Sequence, residues 1–278
     1  MIASHSAHPA EAGVVIVGGG NMGLALAAGF AATGALAVTV VDPSPERARA
    51  KLPAGVAVTL IDSPAGIAGQ PGMIVLAVKP ALVPRVLAGY RSLIDAGALV
   101  VSIAAGVGHD AIRSRLGPQA RVIRAMPNTP ALVRQGMTVL HGGPGLAEAD
   151  RQSAERLFQA VGATAWVDRE ELIDAATAVS GSGPAYVFAF AEHLAAAGAA
   201  AGLPAALAAE LARATLVGAV ALMNQPGAEA RALKRMVCSP GGTTEAGLSV
   251  LEGQPGLAEL LEGTVRAARE RAAALSRG

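Results

Sequence analysis

The chain is short of several things, and each shortage excludes something. Among its 278 residues there is one cysteine, Cys238. That leaves no internal disulfide and no cysteine-clustered metal site, and it fits a reduced, cytoplasmic compartment. Aromatic residues make up 3% and the formal net charge is +1, so the chain has neither the stacking platform nor the basic footprint of a nucleic-acid binder. Charged residues are few, 15% against 52% hydrophobic, which excludes a disordered chain. Strongly apolar runs of about twenty residues, the length a membrane span needs, are missing too. The candidates are interrupted: 184–203 contains Glu192 and His193, and 204–223 contains Glu210 and Arg213. We read both as helices buried against protein. The opening MIASHSAHPAEAG has no basic region followed by an apolar run, so no secretion signal is expected. Residues 1–12 read as a loose tail, and His5 and His8 within it as poor catalytic candidates.

What is present falls into two halves. In the first, short apolar runs rich in β-branched residues recur at Val14–Val17, Val38–Val41, Met73–Val78 and Leu99–Ile103, with another at Arg121–Ala125. Alanine-rich helical segments such as Met22–Thr33 and Pro45–Leu52 lie between them. Continuous apolar strands alternating with helices predict a parallel sheet covered on both faces. Met137–His141 and Thr164–Val167 would extend it, with a helix over Leu146–Val161 between them. After about Arg169 the strand signals stop. Helices are predicted over Gly183–Ala200, Pro204–Asn224, Glu229–Val237, Thr244–Leu251 and Gly256–Ser276, with Pro204 in a first turn. The segment 204–223 is apolar nearly all round, so it should be covered on most sides. About a hundred residues cannot hide several such helices alone, which predicts packing against a second copy. The expected organisation is a tail (1–12), an α/β domain (13–168) and an all-helical domain (169–278).

The stretch VVIVGGGNMG carries Gly18-x-Gly20-x-x-Gly23 between an apolar strand and a helix. That is the context a dinucleotide fingerprint requires. Gly18 permits the tight turn, Gly20 lets a pyrophosphate approach the backbone, and Gly23 lets helix and strand pack closely. Asn21 and Met22 complete the loop, and the helix start offers free N–H groups and a positive dipole. Asp42 ends VTVVD nineteen residues after Gly23. An aspartate there accepts hydrogen bonds from ribose hydroxyls and repels a 2′-phosphate, which leans to NADH. Ser44, Arg47 and Arg49 follow closely and suit a phosphate, so NADPH stays open. Asp42 also reads as a turn or cap residue before Pro43.

A second glycine loop lies far downstream, in SPGGTTEAGLSVLE (239–252). Glycines and threonines at a helix start make an anion seat, because N–H groups bind a carboxylate without adding charge. Such a seat needs donors and no competing acid. The other reading is a glycine-rich helix cap without a ligand.

Four further segments complete a set: VLAVKP (75–80), SIAAG (102–106), RAMPNTP (124–130) and SGSGPAY (180–186). With SPGGTT, in this order and spacing, they resemble the Δ1-pyrroline-5-carboxylate reductases over nearly the whole chain. The resemblance implies a Rossmann domain followed by an all-helical domain that builds dimers, in many members rings of dimers. It implies reduction of a cyclic imine acid to proline with NADH or NADPH. Ala77, Val78, Lys79, Pro80 and Ala104 would line the nicotinamide, and Asn128 would meet its carboxamide or hold its own loop. Ser239, Gly241, Gly242, Thr243 and Thr244 would seat the substrate, and Thr244 would hydrogen-bond the ring nitrogen and donate a proton or orient the ring. Glu170 would face that nitrogen too, although in DREELID it equally reads as a helix-start glutamate. SGSGPAY has no strand before it and reads as close helix packing, with Tyr186 at that interface. Met236 stands where some relatives have an asparagine at the cofactor. Two other readings are a 3-hydroxyacid dehydrogenase, for which Lys234 would be the acid–base lysine, and a non-catalytic nucleotide-binding regulator.

Overall fold

A computed structural model of the chain describes residues 13–277; the tail expected at 1–12 lies outside them. The chain begins with β1 (Val14–Val17), α1 (Asn21–Ala31), β2 (Val38–Val41), α2 (Pro45–Arg49) and β3 (Thr59–Ile61). It continues with β4 (Met73–Leu76), α3 (Val83–Leu87), α4 (Arg91–Asp95), β5 (Leu99–Ser102), α5 (His109–Leu116) and β6 (Val122–Met126). Then come β7 (Gly136–Gly142), α6 (Glu148–Gln159), β8 (Gly162–Trp166) and α7 (Leu172–Ala176). The helices α8 (Gly183–Ala200), α9 (Ala205–Met223), α10 (Ala230–Met236), α11 (Thr243–Leu251) and α12 (Leu257–Arg277) close the chain. By compactness it divides into one unit of residues up to Gly181 together with those from Ala268 on, and a second of Ser182–Ala267.

The eight strands form one sheet in the order β3-β2-β1-β4-β5-β6-β7-β8. The apolar runs explain the burial, since in β1, β4, β5 and β6 every residue is buried. Successive side chains point to opposite faces. Val14 and Ile16 join α1 and α6 through Leu26, Phe30 and Phe158, while Val15 and Val17 join α3, α4 and α5 through Leu87, Ile94 and Ile112. Phe30 and Phe158 meet edge to face at 5.6 Å. Tyr90 lies in the second layer, where burial pushes its hydroxyl up to about 12.

Two features of the sheet depart from expectation. β7 runs antiparallel to β6, with Met126 opposite Val139, whereas the other pairs are parallel. The connection 127–135 holds only the 3-10 turn Thr129–Val133. That is too short for a parallel crossover, which needs about a dozen residues or more, so the chain turns back. The edge strand β3 was not expected. Its three residues are partly exposed and give too short an apolar run to register.

In the helical unit α8 and α9 pack on each other. α9 begins one residue after Pro204, which takes the cap position rather than the first turn. α9 buries only Ala208 and Ala212, and Phe188, Leu211 and Val217 stay exposed. Among the described residues, the helices read as buried are thus largely uncovered. α9 is long and apolar enough to cross a membrane by length and composition alone.

Candidate functional site

The glycine loop takes the shape its sequence requires. Gly18 has φ +111, and a β-carbon there would lie 2.7 Å from the Ala77 carbonyl oxygen. At Gly23 a β-carbon would lie 2.1 Å from the Gly18 carbonyl oxygen; contact this close is how the helix is seated on the turn. Gly20 caps α1 with no side-chain hydrogen bond, and a β-carbon there would meet nothing within 4 Å. No side chain caps the first N–H groups of α1, and Gly20 leaves the approach to them free of a side chain. Asn21 is exposed, with Lys51 Nζ 3.5 Å from its Oδ1, while Met22 packs on the core.

Asp42 follows β2 and braces this loop. Its Oδ2 accepts the Gly19 N–H at 2.8 Å and its Oδ1 accepts the Ser44 N–H at 2.8 Å. Beside it opens a groove of about 670 Å³ bordered by Gly18, Gly20, Asp42, Arg47, Lys79 and Arg85. An open helix start, a side-chain-free approach at Gly20, a carboxylate and three cations suit a dinucleotide, with its anionic pyrophosphate and its ribose diol.

At the carboxyl edge of the sheet, Ala77 and Val78 leave β4 half-buried, and Lys79 and Pro80 are exposed. Ala104 is buried, and its N–H donates to Ser102 Oγ at 3.3 Å. Asn128 turns its polar atoms onto the protein's own loops. Its Nδ2 donates to the Ser180 carbonyl at 3.1 Å, and its Oδ1 accepts the Met137 N–H at 2.8 Å. It ties the start of β7 to the π-helical turn Thr177–Gly181.

Glu170 sits in a polar cluster between the strand ends. One oxygen, Oε1, accepts both the His109 N–H and an Arg124 N–H, each at 2.8 Å. Arg124 is 5% exposed. The His109 and His141 rings meet through Nε2 and Nδ1 at 2.9 Å. Burial alone would raise the Glu170 carboxyl, but the His109 N–H and Arg124 outweigh it and hold it below its ordinary value. Burial pushes the His109 imidazole down to about 4, against the pull of Glu170. Sequence reasoning missed Arg124, His109 and His141. The signal was there: an arginine inside the apolar strand VIRAM must find a counter-charge if both sheet faces are covered.

The downstream loop lies in the helical unit. Gly241 has φ +68 and open space where a side chain would stand, and Gly242 caps α11 with no side-chain hydrogen bond. Thr243 and Thr244 are the first residues of that helix, the former exposed and the latter half-buried. Ser239 is exposed, and its hydroxyl would lie 2.5 Å from a β-carbon at Gly242. The expected freedom from a competing acid fails here, because Glu245 Oε2 accepts the Gly241 N–H at 2.7 Å. A glutamate one turn into a helix reaches back to the free N–H groups at its start. Lys234 pairs with Glu252 at 2.5 Å.

The glycine loop, the aspartate just after the second strand and the groove at the sheet's carboxyl edge, with an all-helical unit beside them in the sequence, define a nicotinamide-dinucleotide-dependent oxidoreductase. Known proteins narrow the class. The family described as pyrroline-5-carboxylate reductase dimerisation matches residues 170–275, and the one described as NADP oxidoreductase, coenzyme F420-dependent, matches residues 13–106. The pyrroline-5-carboxylate reductase of Pseudomonas aeruginosa is 37% identical over 95% of this chain and 96% of its own length. That of Arabidopsis thaliana is 37% identical over 94% and 95%. A solved pyrroline-5-carboxylate reductase structure from Coxiella burnetii superposes with a TM-score of 0.89 at 33% identity, covering 96% of this chain and 99% of that one. The Plasmodium falciparum enzyme, solved with NADP bound, gives 0.81 at 29% identity over 95% and 98%. The chain belongs to the pyrroline-5-carboxylate reductase family.

Proposed function

We infer that this chain reduces 1-pyrroline-5-carboxylate to L-proline with NADH or NADPH. The dinucleotide is held by the α1 start, with Gly18, Gly20, Asn21, Met22 and Gly23 around the pyrophosphate and Asp42 at the adenosine ribose. Ala77, Val78, Lys79, Pro80 and Ala104 line the nicotinamide, and Asn128 holds the loop beneath. When bound, the reduced nicotinamide supplies a hydride. Asp42 leans the choice to NADH, while Ser44 and Arg47 keep a phosphate-compatible edge on the same groove.

The observation that carries the substrate half is the carboxylate already on the Gly241 N–H. The loop accepts a carboxylate, and the substrate brings one. Ser239, Gly241, Gly242 and Thr243 take that group through N–H and hydroxyl donors. Thr244 faces the ring nitrogen, which gains a proton as the adjacent carbon gains the hydride. A threonine hydroxyl is a weak acid, so Thr244 relays a proton from water or orients an imine bound already protonated. One Glu170 oxygen, Oε1, is held by the His109 N–H and by Arg124, which favours a positioning role over a direct substrate contact.

The exposed apolar residues of α8 and α9, Phe188, Leu211 and Val217 among them, support pairing with a second copy of the chain. The single free Cys238 fits a reducing cytoplasm. The test is loss of reduced-nicotinamide absorbance with pyrroline-5-carboxylate, run separately with NADH and NADPH. Turnover with either supports the reductase and their ratio gives the preference. Cofactor binding without turnover would favour a nucleotide-binding regulator.

A further inference from the structure

The loop 103–108 joins β5 to α5 and carries Ala104. Its apolar side chains, Ile103, Ala105 and Val107, pack on the core, but they offer no hydrogen bond to the backbone at its far end. Gly108 caps α5 with no side chain to bond the helix start, and Gly106 has φ +75. A polar anchor for that end comes from a distant point of the same unit. Glu170, 61 residues downstream, accepts the N–H of His109, the first residue of α5. A β-carbon on Gly108 would lie 3.1 Å from Glu170 Oε1, so the carboxylate is seated against the loop itself.

The carboxylate is fixed in turn. Arg124, with its side chain 6% exposed, binds the same oxygen from β6. β6 is the neighbour of β5, with Arg124 opposite Ser102, the last residue before the loop. Both ends of the loop are therefore tied to one strand pair, the near end through the ladder and the far end through Glu170 and Arg124. The middle is closed by the last turn of α12, whose Leu275 carbonyl oxygen would lie 2.7 Å from a β-carbon on Gly106. Ser276 holds that turn to α7 through Asp174 at 3.2 Å.

We propose that Glu170 is a positioning residue: by holding the His109 N–H and Arg124 together it sets the height of the loop 103–108, and so the seat of the nicotinamide ring. The proposal rests on the assignment of Ala104 to the nicotinamide. An error of about 1 Å in such a seat lowers a rate by on the order of a hundredfold without abolishing binding. Glu170 acts through the loop and reaches neither the hydride nor the ring nitrogen.

The experiment compares Glu170→Ala, Glu170→Gln and Gly108→Ala with the unmodified protein, after circular dichroism and gel filtration confirm fold and size. Dissociation constants are measured for NADH and for ADP-ribose, which lacks the nicotinamide, along with kcat and KM for pyrroline-5-carboxylate. In Glu170→Ala we expect kcat to fall about tenfold or more, with KM for the imine acid within about threefold. NADH should weaken while ADP-ribose holds. Glu170→Gln should recover part of the loss, because its amide oxygen still accepts the His109 N–H. Gly108→Ala, which only crowds the carboxylate, should give the same pattern more weakly. If Glu170→Ala fails to fold, the other two variants decide. A rise in imine KM with kcat preserved would place Glu170 on the substrate and overturn the proposal. So would equal weakening of NADH and ADP-ribose, or folded variants with unchanged constants. If the unmodified protein does not turn over the imine acid, the functional reading falls, yet the NADH to ADP-ribose comparison still tests the clamp.

Discussion

Replacing Asp42 by alanine removes two things at once, and the structure allows them to be separated. The first is the brace on the glycine loop, two charge-assisted bonds to Gly19 and Ser44 at 2.8 Å each. Such bonds contribute roughly 1.5–3 kcal/mol apiece when buried. Asp42 is only half-buried, so solvent takes much of this back and the pair together is worth about 1–2 kcal/mol. On the proposed assignment the loop serves both cofactors alike, and about 1.4 kcal/mol is tenfold in affinity, so NADH and NADPH should both weaken by roughly 5–30-fold. The second loss is particular to NADH, whose ribose hydroxyls give up an ionised acceptor worth about another tenfold. NADPH gains in part, because a carboxylate that repelled its 2′-phosphate is gone. The NADH dissociation constant should therefore rise by on the order of a hundredfold, and that of NADPH by about tenfold or less. Titration of each reduced cofactor by its own fluorescence, for the parent and Asp42→Ala, measures both. Equal losses would make Asp42 a brace alone, and a greater loss for NADPH would reverse the reasoning.

The other expectations concern the Ser239–Thr244 loop and acid stability. Thr244→Ala should lower turnover by about 10²-fold with NADH affinity unchanged; full turnover in the variant would remove Thr244 from the reaction. Glu245→Gln should lower the KM for the imine acid by about threefold, since a neutral amide competes less for the Gly241 N–H than a carboxylate does. A higher KM would mean that Glu245 supports the seat it now occupies. His109, pushed down to about 4 by burial, is neutral in the fold at pH 7, whereas the unfolded chain protonates at its ordinary 6.5. The unfolded state binds more protons between those values, so this contribution to stability is whole above about pH 6.5 and is lost toward pH 4. Glu170, held below its ordinary value, adds to the loss at the acid end. His109→Gln should flatten the drop in urea midpoint between pH 7 and pH 5, and an equal drop in the variant would count against this account.

The apolar runs Val14–Val17, Val38–Val41 and Leu99–Ile103 were legible as strands because burial on both sheet faces leaves little room for other residue types. The glycine loop was legible because Gly18 and Gly23 stand where a β-carbon cannot go. Asp42 was found at its spacing, but only the fold shows its oxygens on Gly19 and Ser44, since the sequence does not record which atoms a carboxylate meets. The edge strand β3 escaped notice because three residues, one exposed and two half-buried, carry almost no pattern.

The sequence by itself determined the alternation of strand and helix, the two glycine turns and the unpartnered apolar faces of α8 and α9, because each follows from local sterics or from the amount of apolar surface. Tertiary structure alone decided the reversal of β7 and the joining of Arg124, His109 and Glu170. The last of these spans 46 and 61 residues of chain. Only the closure of the sheet brings β5, β6 and the start of α7 side by side, and only there does the buried arginine meet its carboxylate.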